Sequence, residues 1–309
     1  MRILVIGAGA LGGYFGTRLL AASRDVTFLV RPKRAAALAK NGLTVKSKLG
    51  DLHLTVPPTV TADKLSQPFD IIILSCKAYD LDEAIKSFAP AVGKDTIIIP
   101  LLNGLRHVDV LSARFGAEKV FGGQCAISAT LSPIGEILHL NDLHTLTFGP
   151  QGAKKPDNYT EIVKTLSDAG FVAQPSDNIM QEMWEKWVFI ATGAGSTCLM
   201  RASVGDMVNA DATDLVLALF EECTAIAVKK GFEPRPAFVE WARTAFTTRG
   251  SPLMASMLRD IEKGAPTEGD HILGDMLSRG GVAAPRSLLG AAYAHVKAYE
   301  ARRARETAA

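Results

Sequence analysis

The sequence has few cysteines, no excess of either charge, few aromatic residues and no apolar run of membrane-spanning length. The four cysteines, Cys76, Cys125, Cys198 and Cys223, are dispersed, with no CxxC pair and no tight Cys/His cluster. That spacing argues against a disulfide framework and a metal site, and fits reduced, buried thiols in a cytoplasmic enzyme. Lys and Arg total 34 against 32 Asp and Glu, a formal net charge of +2. A nucleic-acid protein would carry a basic excess or stripe, so no nucleic-acid partner is expected. The apolar stretch Trp187–Met200 is too short for a bilayer and contains Gly193 and Gly195, so no membrane partner is expected either. Met1-Arg2 followed by apolar residues to Ala22-Ser23 faintly imitates a secretory leader. Four glycines between Gly7 and Gly13 interrupt it, and the run reads better as a buried strand, a tight turn and a helix.

What is present describes a globular chain: 48% hydrophobic and 21% charged residues over 309 positions, enough for about two domains. The first half alternates strand-like and helix-like runs. Arg2–Ile6, Val26–Val30, Ile71–Leu74 and Thr96–Ile99 are short, apolar and rich in β-branched residues, with helical character at Leu11–Ala22. Unbroken apolar strands spaced by helices predict a parallel sheet covered on both faces. Val120–Ile127, Glu136–His139 and Thr145–Phe148 are expected to extend that sheet, some of them antiparallel. A helix over Asn158–Ala169 and a last strand over Phe171–Gln174 follow. After Pro175-Ser176-Asp177 no strand is convincing. Ile179–Ala191, Asp211–Lys230, Pro236–Phe246, Ser251–Lys263, Asp270–Ser278 and Arg286–Arg305 read as helices, broken at glycines and prolines. The expected division is therefore an α/β domain over residues 1–176 and an all-α domain over 177–309. The charged tail from Glu300 onward reads as a solvated helix end.

Gly7-Ala8-Gly9-Ala10-Leu11-Gly12 is a GxGxxG pattern that follows a predicted strand directly and opens a helix, the context in which it binds a dinucleotide. Gly7 serves the tight turn, Gly9 lets the backbone approach a pyrophosphate, and Gly12 brings helix and strand together. The end of the next strand discriminates between dinucleotides. An NAD site places a carboxylate there; this chain has Arg31, followed by Lys33 and Arg34, which attract a 2′-phosphate and favour NADP. Ser75-Cys76-Lys77 and Leu101-Leu102-Asn103-Gly104 lie just past the carboxyl ends of later strands, where ligands of open α/β sheets bind. Lys77 and Asn103 can each face a ligand there or serve only as turn residues.

In the helical half, Lys186 stands within Trp184-Glu185-Lys186-Trp187. A partly desolvated lysine is a usable proton donor; one lying over aromatic surface, or paired with Glu182 one turn away, is merely structural. Ser256 lies on a helix whose apolar stripe is Met254, Leu258 and Ile261. Thr267 can cap the next helix, with Asp270 at capping-box spacing, which leaves Glu268 in a first turn that favours a carboxylate for its dipole alone.

Taken together, GAGALGG, SCKAYD, LLNG, WEKW, SMLRDIEKGAPTEGD and the late GVAAP resemble the ketopantoate reductase family over nearly the whole chain, in order and spacing. The resemblance implies a Rossmann dinucleotide-binding domain followed by an all-α domain, and reduction of 2-dehydropantoate to pantoate with NADPH on the route to pantothenate and coenzyme A. It implies Lys186 as general acid at the substrate carbonyl and Glu268 as partner of the substrate hydroxyl. Ser256 would help to bind the substrate carboxylate, and Asn103 would lie at nicotinamide and substrate. Lys77 would lie near the cofactor, and Arg31 would hold the 2′-phosphate, beside Gly7, Ala8, Gly9, Ala10, Leu11 and Gly12. The implied partner is a small 2-oxo acid, with a homodimer as the largest expected assembly, and the implied location is the cytoplasm. One position departs from the family pattern. Four residues after the lysine the family has asparagine, and this chain has Ile190. Isoleucine removes a hydrogen-bond partner and adds apolar bulk, which keeps two alternatives open. One is an NADPH-dependent reductase of another 2-oxo acid or an imine; the other is a non-catalytic NADP-binding sensor.

Overall fold

The computed structural model describes residues 1–281 and 287–308, which pack as two units. One comprises Met1–Leu102 and His107–Met180, the other Asn103–Arg106 and Gln181–Ala309. Along the first run β1 (Arg2–Ile6), α1 (Ala10–Ala21), β2 (Asp25–Leu29), α2 (Pro32–Asn41), β3 (Leu43–Lys46), β4 (Leu52–Leu54), β5 (Thr59–Val60), β6 (Phe69–Leu74), α3 (Leu81–Phe88), β7 (Val92–Pro100), α4 (Arg106–Phe115), β8 (Phe121–Leu131), β9 (Ile137–Pro150), α5 (Tyr159–Leu166) and β10 (Val172–Pro175). The helical part carries α6 (Ile179–Met200), α7 (Val204–Asn209), α8 (Thr213–Lys229), α9 (Pro236–Thr247), α10 (Ser256–Glu262), α11 (Asp275–Gly280) and α12 (Leu288–Ala308), with a π-helical turn over Asp270–Gly274 leading into α11. The Val282–Pro285 part of the late GVAAP motif, and Arg286, lie outside the described residues.

The expected parallel sheet is present, in the order β5-β2-β1-β6-β7, with every pairing parallel. Its central strands carry Ile3, Leu4, Val5, Ile71, Ile72, Ile73 and Leu74, all at zero exposure, because both faces are covered. Residues 120–150 correct the expectation made for them. They do not extend this sheet. They form a second one, ordered β10-β9-β3-β4 with β8 paired to β9; β8 lies against β7 of the first sheet, where a Cβ at Gly123 would fall 2.3 Å from Pro100 O, and the isolated bridge Ile98–Val120 links the two. The two expected strands at 136–139 and 145–148 are one long strand, β9, joined to β8 by a turn in which Gly135 takes φ +86°. Helix α1 packs on β2 of the first sheet and on β3, β8 and β9 of the second. Burial from two sides explains why its sequence is apolar almost all round and imitates a leader. Its glycines fit this role: a Cβ at Gly13 would sit 2.3 Å from Ile137, and one at Gly16 2.5 Å from Phe28.

In the helical unit, α6 does not stop at Ala191. It runs through Gly193 and Gly195 to Met200, roughly 33 Å at 1.5 Å per residue. A Cβ at Gly195 would lie 2.7 Å from Leu219 of α8 and 3.4 Å from Ala292 of α12, so the glycine is a contact point and not a terminator. Thr192, Ser196 and Thr197 return their hydroxyls to carbonyls one turn earlier, which satisfies them inside the core. Helix α7, which the apolar periodicity does not reveal, starts at a capping box: Asp206 N–H donates to Ser203 Oγ, and the Ser203 N–H donates back to the Asp206 carboxylate. Cys125, Cys198 and Cys223 are buried and Cys76 half-buried; none of the four is in a disulfide, and burial pushes the thiols of Cys198 and Cys223 up to about 12. Among the described residues no His, Cys, Asp and Glu cluster could hold a metal ion, and no helix is long and apolar enough to cross a membrane.

Candidate active site

The glycine loop sits at the carboxyl end of β1, between the ends of β2 and β6. Gly7 has φ +90°, a left-handed conformation that a side chain would strain, and its N–H donates to Leu29 O at 2.9 Å. A Cβ on Gly12 would fall 2.1 Å from Ser75 Oγ and 2.4 Å from Gly7 O, so helix, loop and β6 meet with no room for one. A Cβ on Gly9 would meet nothing within 4 Å. The loop is thus packed tight behind and open in front. The first turn of α1 contains no acidic residue, so its N–H groups and dipole face that opening uncompensated. A backbone cradle of this kind fits a pyrophosphate. Ser75 donates to Ile6 O at 2.8 Å, which fixes the β6 end against the loop; Lys77 follows, exposed, at the start of a short 3₁₀ turn.

The basic residues after β2 divide into two roles. Arg31 is exposed, and its Nη2 donates to Asp80 Oδ1 at 3.1 Å and to Glu83 Oε2 at 3.0 Å. Asp80 first, then Glu83, raise its pKa further. Arg34 points inward instead. It donates to Ala8 O at 2.9 Å and to Gly135 O at 3.3 Å, tying the glycine loop to the β8–β9 turn, and burial lowers its pKa. Its sequence position beside Arg31 suggests a phosphate ligand; its contacts make it a brace for the loop.

In the helical unit, several candidate residues converge on the π-helical turn. Glu268, half-buried, opens it: the N–H groups of His271 and Ile272 donate to its carbonyl at 3.1 and 2.9 Å. Trp187, fully buried and next to Lys186, donates its indole N–H to Ile272 O at 2.9 Å. Gly104, which follows Asn103, takes φ +79°, and a Cβ there would lie 3.0 Å from His271 O. Glu268, Trp187 next to Lys186, and Gly104 next to Asn103 thus bond to or pack against the same five-residue turn. Lys186 and Ile190 are half-buried and one helical turn apart on α6. Ser256 is anchored elsewhere. It is the exposed first residue of α10, and the preceding Ala255 N–H donates to Thr197 Oγ1 at 3.4 Å, a point roughly 16 Å further along α6 than Lys186.

Two neighbours take roles that the sequence does not announce. Glu185, 5% exposed at its side chain, is held by Arg235: the guanidinium donates at 2.5–3.1 Å and the Arg235 backbone N–H at 2.8 Å. Burial alone would raise this carboxyl, but the bonds from Arg235 and Gln181 outweigh it and hold it below the usual carboxylate range. The glutamate of WEKW thus ties α6 to the start of α9. Asp270 does not form the expected capping box. Thr267 does accept from Gly269 N–H at 3.2 Å, but Asp270 accepts from Tyr293 at 2.6 Å and from Lys297 at 3.0 Å. Those groups, with Arg106 and Asp275, line a polar pocket of 490 Å³, to which Lys186, Glu268, Ser256 and Asn103 contribute nothing. Burial holds the His271 imidazole below its ordinary value, opposed by Glu268 and Asp275.

Comparison with known proteins agrees with this geometry. Residues 3–152 match the family described as ketopantoate reductase PanE/ApbA, and residues 178–300 match its C-terminal family. The chain is 36% identical over 305 residues to the uncharacterized oxidoreductase YkpB of Bacillus subtilis, covering 97% of this chain and 99% of that one. It is 30% identical over 282 residues to a 2-dehydropantoate 2-reductase of Archaeoglobus fulgidus, covering 90% of each. The crystal structure of 2-dehydropantoate 2-reductase from Geobacter metallireducens superposes with a TM-score of 0.85 at 27% identity, over 96% of this chain and 99% of that one. A Rossmann unit with a glycine loop, a helical unit built around α6, and matches to both halves in sequence lead to one conclusion: the chain belongs to the ketopantoate reductase family of pyridine-nucleotide-dependent oxidoreductases.

Proposed function

We propose that this protein reduces a 2-oxo acid to the 2-hydroxy acid with NADPH, and that 2-dehydropantoate is the first substrate to test. The observation that carries the proposal is that Glu268 and the immediate neighbours of Lys186 and Asn103 meet at the π-helical turn, in a chain whose other unit carries a glycine loop fit for a dinucleotide. Gly7 to Gly12 and the N-terminus of α1 would hold the pyrophosphate and Arg31 the 2′-phosphate, with Lys77 near the cofactor. Bound there, NADPH supplies hydride to the C2 carbonyl. The protein supplies the rest. Protonated Lys186 Nζ stabilises negative charge developing on the carbonyl oxygen and delivers the proton, so one residue gives both electrostatic stabilisation and general-acid catalysis. The Glu268 carboxylate accepts a hydrogen bond from a substrate hydroxyl and fixes which face of C2 is presented. The Asn103 amide, both donor and acceptor, matches a carboxamide or a carboxylate. Ser256 is the proposed donor for the carboxylate bonded to C2.

Ile190 supports a second reading within the same chemistry. An apolar side chain one turn from Lys186 leaves a polar substrate group there without a partner, at a cost of about 1–3 kcal/mol, and favours a 2-oxo acid or an imine with an apolar substituent. The test is consumption of NADPH with ketopantoate beside a panel of other 2-oxo acids, in the parent and in Lys186→Ala. General-acid loss lowers kcat by roughly 10²–10⁴ and leaves dinucleotide affinity unchanged. Parent-like turnover in the variant would refute the assignment. Tight NADPH binding without turnover of any carbonyl compound would leave the sensor reading in its place.

A further inference from the structure

The order β5-β2-β1-β6-β7 places β2 and β6 on opposite sides of β1. At about 4.8 Å per strand, their ends stand roughly 10 Å apart, with the glycine loop between them. Arg31 at the end of β2, and Asp80 and Glu83 at the start of α3 after β6, close that span with bonds of 3.1 and 3.0 Å to a single guanidinium nitrogen. We propose that Asp80 and Glu83 set the cofactor discrimination of this protein, narrowing the preference that Arg31 gives to a 2′-phosphorylated dinucleotide over one with a free ribose hydroxyl. The proposal rests on the reading of the glycine loop as the dinucleotide site.

The charges favour this assignment. One cation and two carboxylates make a cluster of net charge −1. An incoming 2′-phosphate must take the guanidinium from both carboxylates and remain near them. A ribose 2′-hydroxyl carries no charge and can donate to either one. Arg34 does not redress the balance, because it is committed to Ala8 O and Gly135 O; exposed Lys33 is the cation of the segment left to a phosphate, one charge against two carboxylates. The side chains of Arg31, Asp80 and Glu83 are 64%, 35% and 70% exposed, so each pair is weak and a phosphate can displace it. The preference is narrowed and not abolished. Asp82 lies on the same first turn of α3 with the same helix-dipole role and no contact to Arg31, which makes it the control.

The experiment is calorimetric titration of 2′,5′-ADP and of ADP into the full-length parent, Asp80→Asn, Glu83→Gln, the double variant and Asp82→Asn, at fixed low salt. Relief of repulsion at this range predicts that the double variant binds 2′,5′-ADP about tenfold tighter, while ADP shifts by less than about twofold and Asp82→Asn moves neither appreciably. The ratio of kcat/KM for NADPH over NADH should rise by the same factor. An unchanged or reduced 2′,5′-ADP preference, with both nucleotides still binding, would overturn the proposal alone. Failure of the parent to bind either nucleotide would overturn the dinucleotide reading and the proposal with it.

Discussion

Replacing Gly12 by alanine sets two opposed effects against each other, and the structure decides the sign. Gly12 has ordinary helical geometry in α1, so alanine gains up to about 1 kcal/mol of helix propensity. Against this, the new Cβ lies 2.1 Å from Ser75 Oγ, 2.4 Å from Gly7 O and 3.0 Å from Val5. The serine hydroxyl can rotate away, at the loss of its bond to Ile6 O, about 1 kcal/mol. The Gly7 carbonyl cannot rotate, because Gly7 is fixed at φ +90° and bonded to Leu29. Overpacking against backbone costs about 1–3 kcal/mol, so the net destabilisation is about 1–3 kcal/mol. Urea unfolding followed by far-UV circular dichroism measures it. Tryptophan emission reports the helical unit, where Trp184, Trp187 and Trp241 all lie, and so does not probe α1 directly. Gly12→Ala with Ser75→Ala should recover only the hydroxyl part, and affinity for ADP should fall in both. A Gly12→Ala protein as stable as the parent, or more so, would mean that the loop yields where the geometry says it cannot.

Trp187→Phe keeps an aromatic ring but leaves Ile272 O buried without its donor; a loss of about 1–3 kcal/mol in urea unfolding is expected, with a raised KM for the oxo acid as the π-helical turn loosens. Glu185→Ala should cost about 2 kcal/mol, below the 3–5 of a fully buried pair because Arg235 is half exposed. The pair's contribution is present above the unfolded glutamate value of 4.5 and is lost as pH falls through the lower folded value, which unfolding measured from pH 4.5 downward will show. His271 works at higher pH. Its folded pKa lies below 6.5, so the unfolded chain binds the proton first, and stability of the helical unit declines as pH drops below about 6.5. His271→Gln should flatten that slope in tryptophan-detected unfolding.

The glycine loop was legible because turn, pyrophosphate contact and helix packing each demand glycine at a fixed spacing, and the parallel sheet because strands buried on both faces lose their alternation. The second sheet was not. Its strands 137–150 carry no signal that separates lengthening one sheet from starting another; that is decided by α1 lodging between the two, a tertiary fact. The extent of α6 was hidden because Gly193 and Gly195 read as breakers until the neighbouring Leu219 and Ala292 explain them. Within the candidate site, Lys186 and Glu268 could be named from the sequence only through a family resemblance. Taken singly, each has an ordinary structural explanation, and what the structure adds is that Glu268 and Trp187, next to Lys186, both bond to the π-helical turn. Arg34 shows the converse: its chemistry suggests a phosphate, and only its bonds to Ala8 and Gly135 reveal a brace.

A π-helical turn amounts to one residue inserted into a helix that would otherwise run on regularly. Deleting a residue between Asp270 and Gly274 would restore that regularity, shorten the segment by about 1.5 Å and rotate Glu268 by roughly 100° about the axis relative to α11. The helix would survive such an edit while its carboxylate swung to another face. A deletion that looks neutral for folding would in this way turn the proposed substrate partner away, where a substitution would leave the backbone path in place.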